Sequence, residues 1–103
     1  MPVIVVATIK PLPQYRDEVT TAMLAAVEQV HGEDGCELYA LHRDDDRLVM
    51  IERWTGPAAL QAHSTTSAAL QKLNADLDGK LGAPLDVVGL EPVPGGDPAK
   101  GQL

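Results

Sequence analysis

The run Val3-Ile4-Val5-Val6-Ala7-Thr8-Ile9 constrains this chain more than any other segment. Its β-branched residues lose rotamer freedom against a helical turn, and seven residues are too few for a stable helix, so the run is expected to be a strand. Odd and even positions are both apolar, which predicts burial on two faces. A chain of 103 residues has room for one domain only. Both faces of the strand must therefore be covered by elements of that domain or by a second copy.

The remaining elements follow in order. After Pro11 and Pro13, apolar residues at Tyr15, Val19, Ala22, Met23, Ala26 and Val30 keep helical spacing, and the helix is expected to end near Gly32 or Gly35. Segments Cys36 to Arg43 and Arg47 to Trp54 flank the acidic turn Asp44-Asp45-Asp46 and predict a β-hairpin. Thr55-Gly56-Pro57 opens a second helical region, with Thr55 as the expected cap. A break at Ser64 to Thr66 is expected to divide that region before Leu70, Leu73, Leu77 and Leu81 resume on one face, and Gly82 and Pro84 are expected to end it. Leu85 to Leu90 supplies a last strand.

The order βαββαβ predicts an α+β, ferredoxin-like fold with a four-stranded antiparallel sheet and its helices on one face. The first strand's second apolar face then predicts a homodimer packed sheet against sheet. The domain is expected to span residues 1–93. Residues 94–103, rich in Pro and Gly, are expected to be a flexible tail.

Charge and composition remove several function classes. Eight Lys and Arg against fifteen Asp and Glu give a net charge of -7, a surface that repels phosphate, so no nucleic acid partner is expected. No stretch approaches the roughly 18 to 20 apolar residues of a membrane span, and the first run has neither a basic leader nor a cleavage site. The cytoplasm is the expected compartment. Cys36 is the single cysteine and can form no internal disulfide.

Three segments, Gly35-Cys36-Glu37-Leu38-Tyr39, Glu52-Arg53-Trp54 and Ala59-Leu60-Gln61-Ala62-His63, resemble the signature of the antibiotic biosynthesis monooxygenase domain family. The resemblance runs from Val3 to about Glu91. It implies a dimeric α/β barrel and a range of activities that includes cofactor-free oxygenation of quinols and polycyclic phenols, and haem degradation. The haem-degrading branch uses an Asn on the first strand with a Trp and a haem-ligating His. Here Ala7 and Thr8 occupy that part of the strand and the only Asn, Asn74, is far along the chain. The resemblance therefore implies a quinol-type monooxygenase acting on a small aromatic substrate and O2. The alternatives are a small-molecule binding or stress-associated protein without oxygenase activity, and an isomerase of a small keto or enol compound.

No cofactor or metal is expected: no glycine-rich nucleotide loop is present, and His31, His42 and His63 are widely separated. Cofactor-free oxygenation needs a base, a dry pocket and a polar group that steadies a substrate anion. His63, three residues from Leu60, is the candidate base, or else a core histidine satisfied by one hydrogen bond. Glu52 and Trp54 share a strand face. Trp54 is either a flat wall for the substrate or a core anchor. Glu52, if buried, needs a partner such as His63, Arg43 or Tyr39, and structural ion pairing is the favoured reading.

Tyr39, Thr8, Met50 and Leu60 complete the candidate site as substrate-binding residues. Tyr39 shares the face of Glu52 only if the hairpin loop has an even number of residues, which is the preferred register. An odd loop would bring His42 there and gather a set of two histidines and one carboxylate. Asp44 to Asp46 lacks the glycine and further ligands of a calcium loop and reads as a solvated turn.

Overall fold

A computed structural model describes residues 1–103. The strands are β1 (Val3–Ile9), β2 (Cys36–Arg43), β3 (Leu48–Trp54) and β4 (Asp86–Leu90), and the helices are α1 (Arg16–Val30), α2 (Pro57–Thr66) and α3 (Ala68–Leu77). They build one antiparallel sheet in the order β2-β3-β1-β4, with α1 packed on α3 and β2, and α2 on β3. This is the ferredoxin-like α+β arrangement expected from the element order.

Pairing fixes which side chains meet the helices. Val5 opposes Glu52, Ala7 opposes Met50 and Tyr39 opposes Glu52, which places all of them on one face. Ile4, Val6 and Thr8 point the other way, opposite Arg53, Ile51 and Val49. The core lies between sheet and helices. Trp54, Ile9, Leu48, Met50, Val19 and Val30 are its fully buried members, each aliphatic side chain contributing about 1.5–3 kcal/mol by leaving water.

The hairpin has the even loop: Arg43 pairs with Leu48, residues 44–47 turn, and Asp44 N–H donates to the Arg47 carbonyl at 3.0 Å. Asp44 Oδ1 in turn accepts from the backbone N–H groups of Asp46 and Arg47, which with the Arg47 side chain holds its carboxyl below the usual range. The Arg16 guanidinium donates to the carbonyls of Asp44 and Asp45 and ties the turn to the start of α1. A bulge at Glu37 sits between the pairs Cys36–Trp54 and Leu38–Arg53.

Three local expectations are corrected. Thr55 does not cap α2; Gly56 stands at that position, with extended backbone, and Pro57 fills the first turn, where its missing N–H costs nothing. The helical region breaks at Ser67, one residue beyond the expected segment, where an extended backbone makes this residue the cap of α3. That helix stops at Leu77, before Gly82, because Asp78 turns extended and Gly79 takes a positive φ of 76° in a turn closed by Lys80 N–H on the Leu77 carbonyl at 3.0 Å. Leu81 consequently leaves the helix face and bridges Pro11.

Candidate active site

His63 faces the sheet from α2 and is 5% exposed. Its ring lies over the Trp54 indole, with centroids 4.6 Å apart and planes tilted by 33°. Tyr39 meets both rings edge-on, at 5.6 Å from His63 and 6.4 Å from Trp54. The short β3–α2 crossover brings Glu52, Trp54 and His63 together at one end of the sheet.

The partners differ from those the sequence suggests. Glu52 pairs with neither an arginine nor His63: its Oε1 accepts the Trp54 indole N–H at 2.9 Å. Arg53 points to the opposite face, where it contacts Glu37 and the Leu103 carbonyl. Trp54 is fully buried with its N–H engaged, so it stands behind the site as a core anchor and is not a wall of the cavity.

His63 is held by a residue that sequence spacing does not single out. Glu33, in the α1–β2 loop, accepts from His63 Nδ1 at 2.8 Å through Oε1 and from the Ser67 hydroxyl at 2.6 Å through Oε2. The local signal for this loop is Gly35. Its φ is 81°, and a Cβ there would fall 2.5 Å from the Ala59 Cβ and 2.7 Å from Thr55 Oγ1. Only glycine lets the loop press against the start of α2 in that conformation.

An apolar cavity of about 200 Å³ opens between the sheet and α2 and α3. Val5, Met50, Leu60 and Leu73 make much of its wall; Tyr39, Glu52, His63, Ser64 and Asn74 supply polar atoms. Of the sequence-derived candidates, Tyr39, Glu52, His63, Met50 and Leu60 line this cavity. Thr8 does not, because strand alternation turns it to the opposite sheet face between the inward-facing Ala7 and Ile9. His42 is on that face too, opposite Val49, so it forms no set with His63 and Glu52. Asn74, remote in sequence, reaches the wall from α3.

Electrostatics divide the polar groups by task. Burial pushes the Glu52 carboxyl above the usual range, against the pull of the Trp54 hydrogen bond and nearby His63. Burial, reinforced by the charges of Glu52 and Glu33, raises the Tyr39 hydroxyl far above its ordinary range. Tyr39 is therefore a hydrogen-bond donor and not a phenolate. Cys36 is raised by burial and by the same two carboxylates, which disfavours its thiolate. Three atoms aimed into this region, His63 Nε2, Glu52 Oε2 and the Tyr39 hydroxyl, have no hydrogen-bond partner in the protein, and none is sealed from solvent.

Residues 2–72 match the family described as antibiotic biosynthesis monooxygenase. The chain belongs to that family. It is 33% identical over 92 residues, 86% of this chain and 96% of the other, to a Bacillus subtilis (strain 168) protein provisionally named a monooxygenase, YcnE. Among solved structures, Rv0793 of Mycobacterium tuberculosis superposes with a TM-score of 0.86 at 28% identity, covering 94% of this chain and all of that one. PA3566 of Pseudomonas aeruginosa gives 0.79 at 26% identity, covering 86% and 91%. No helix of this family member is long and apolar enough to cross a membrane.

Proposed function

We propose that the protein is a cofactor-independent monooxygenase that oxidises a small single-ring hydroquinone or related phenol with O2. The observation that carries this reading is the convergence of a carboxylate-bound histidine, a neutral tyrosine and a raised carboxyl on one apolar cavity. Membership of the monooxygenase family supports it.

Dioxygen is a triplet and reacts slowly with closed-shell organic molecules. A hydroquinone that has lost a proton can transfer an electron to it directly. In this reading His63 takes the phenolic proton, Tyr39 donates a hydrogen bond to the resulting oxyanion, and the substrate ring, seated against the apolar walls, displaces water. The resulting radical pair combines at a ring carbon to give a hydroperoxide. Loss of water from it leaves a hydroxyquinone. One oxygen atom enters the ring and the other leaves as water, with all four electrons supplied by the substrate.

Cavity size favours one ring over several. An apolar cavity of about 150 Å³ holds benzene, so about 200 Å³ suits a substituted single ring better than three fused rings. Oxygen uptake by metal-stripped protein, measured with a panel of single-ring hydroquinones and anthrones, tests the reading. The expected result is one O2 consumed per hydroquinone, with anthrones slower. Conversion of a keto or enol compound without oxygen consumption would replace it with an isomerase, and binding without turnover would replace it with a carrier.

A further inference from the structure

We infer that Glu33 is a positioning residue that, anchored by Ser67, fixes His63 in the tautomer with its proton on Nδ1 and so presents an unprotonated Nε2 to the cavity. The directions of the hydrogen bonds require the proton on Nδ1, which leaves Nε2 as the unprotonated nitrogen of the neutral imidazole. Ser67 Oγ caps α3 by accepting the Leu70 N–H at 3.1 Å, so its own hydrogen is directed to Glu33 Oε2 at 2.6 Å. A carboxylate has no hydrogen to give, and Oε1 can only accept from the imidazole, so Nδ1 must carry the proton. An imidazole free in water favours the opposite tautomer, and the carboxylate reverses that preference.

The anchoring draws on two further segments. Thr55 N–H donates to the Gly35 carbonyl at 2.9 Å, tying the Glu33 loop to the segment that opens α2. Ser67 holds the other carboxylate oxygen from the break between α2 and α3. His63, Glu33 and Ser67 thus come from a helix, a loop and a cap, and the cavity meets the ring whose remaining nitrogen is unpartnered. A base whose tautomer is set in advance needs no reorientation when the substrate arrives. The role of Nε2 as base rests on the proposed reaction; the tautomer does not.

The test is long-range proton–nitrogen NMR of the full chain labelled at histidine, at alkaline pH where the imidazole is neutral, with His63 assigned through His63→Ala. In the native protein His63 should show a protonated Nδ1 and an unprotonated Nε2; in Glu33→Leu the pattern should reverse. Glu33→Leu should also lower kcat on a hydroquinone by roughly ten- to a hundredfold, with KM changed less than about twofold. A native Nε2–H tautomer, an unchanged tautomer in Glu33→Leu, or a reversed tautomer with full kcat would each overturn the inference. A native protein inert toward hydroquinones would remove the proposed reaction, while the tautomer measurement would still decide what Glu33 does.

Discussion

Trp54 donates its indole N–H to the carboxylate of Glu52, two residues earlier on the same strand, at 2.9 Å, and both side chains are buried. The tryptophan therefore acts on the cavity through Glu52. Trp54→Phe preserves most of the packing yet leaves a buried carboxylate oxygen without its donor, an imbalance that costs about 1–3 kcal/mol. Trp54→Ala should cost about 3–5 kcal/mol by opening a void. Urea unfolding at pH 7 measures both, and a Trp54→Phe midpoint equal to the native one would mean that the indole N–H contributes nothing.

Glu52 should make the fold less stable as pH rises. Its folded carboxyl is raised above the unfolded value mainly by burial, so between those two values the folded state holds the extra proton. This contribution to stability is fully present below the unfolded value and is lost as pH rises through the folded one. Glu52→Gln keeps an acceptor for the indole and removes the titration. The variant should gain on the native protein as pH rises from the ordinary glutamate range, about pH 4, through the raised folded value. Parallel denaturation curves for the two proteins across that window would contradict the assignment.

Gly35→Ala should be destabilising by about 1–3 kcal/mol, because the new Cβ meets Ala59 at 2.5 Å and the backbone holds a φ of 81°. Relief of that clash moves the loop that carries Glu33, so turnover should fall as well. Thermal unfolding and oxygen uptake on one preparation separate the effects. Full activity with reduced stability would show that the loop shifts without moving Glu33.

The outer sheet face predicts the assembly. Val88 and Leu90 on β4 are 43% and 47% exposed, and across the ladder they meet Val6 and Ile4. Ile4 is already 6% exposed within one chain, so the apolar surface open to a second copy is the β4 edge, Val88 and Leu90 with half-buried Val6 beside them. Sedimentation should find a homodimer at micromolar concentration, and Val88→Lys should shift it toward monomer by placing a charge on that surface. A native monomer would show instead that the face tolerates water.

The sequence made the sheet legible because its decisive signals are local. The acidic turn marks the hairpin but leaves an even and an odd loop open; the pairing of Arg43 with Leu48 decides between them and puts Tyr39 and Glu52 on one face. Thr8 was misplaced because β1 is apolar at odd and even positions alike, so alternation could not say which set faces the helices. Glu33 escaped notice because its partner lies 30 residues away and is reached only through a glycine turn. The Glu52–Trp54 bond escaped for another reason. The sequence says that a buried Glu52 needs a partner and offers His63, Arg43 and Tyr39, whereas the indole is large enough to fold its N–H back onto the neighbour two residues earlier.

His63→Ala is the variant on which the proposed chemistry depends most directly. Alanine favours the helix, and the Glu33 carboxylate left behind is 23% exposed and keeps Ser67, so the fold should survive. Loss of a general base should lower turnover roughly a hundredfold or more. Tyr39→Phe removes only the hydroxyl and leaves the ring contacts with Trp54 and His63. It should therefore reduce kcat, where the oxyanion develops, more than it weakens binding. The two effects should also be non-additive, because proton removal and oxyanion stabilisation belong to one step. Steady-state oxygen uptake by the single and double variants measures this, and simple multiplication of the two losses would assign His63 and Tyr39 to separate events.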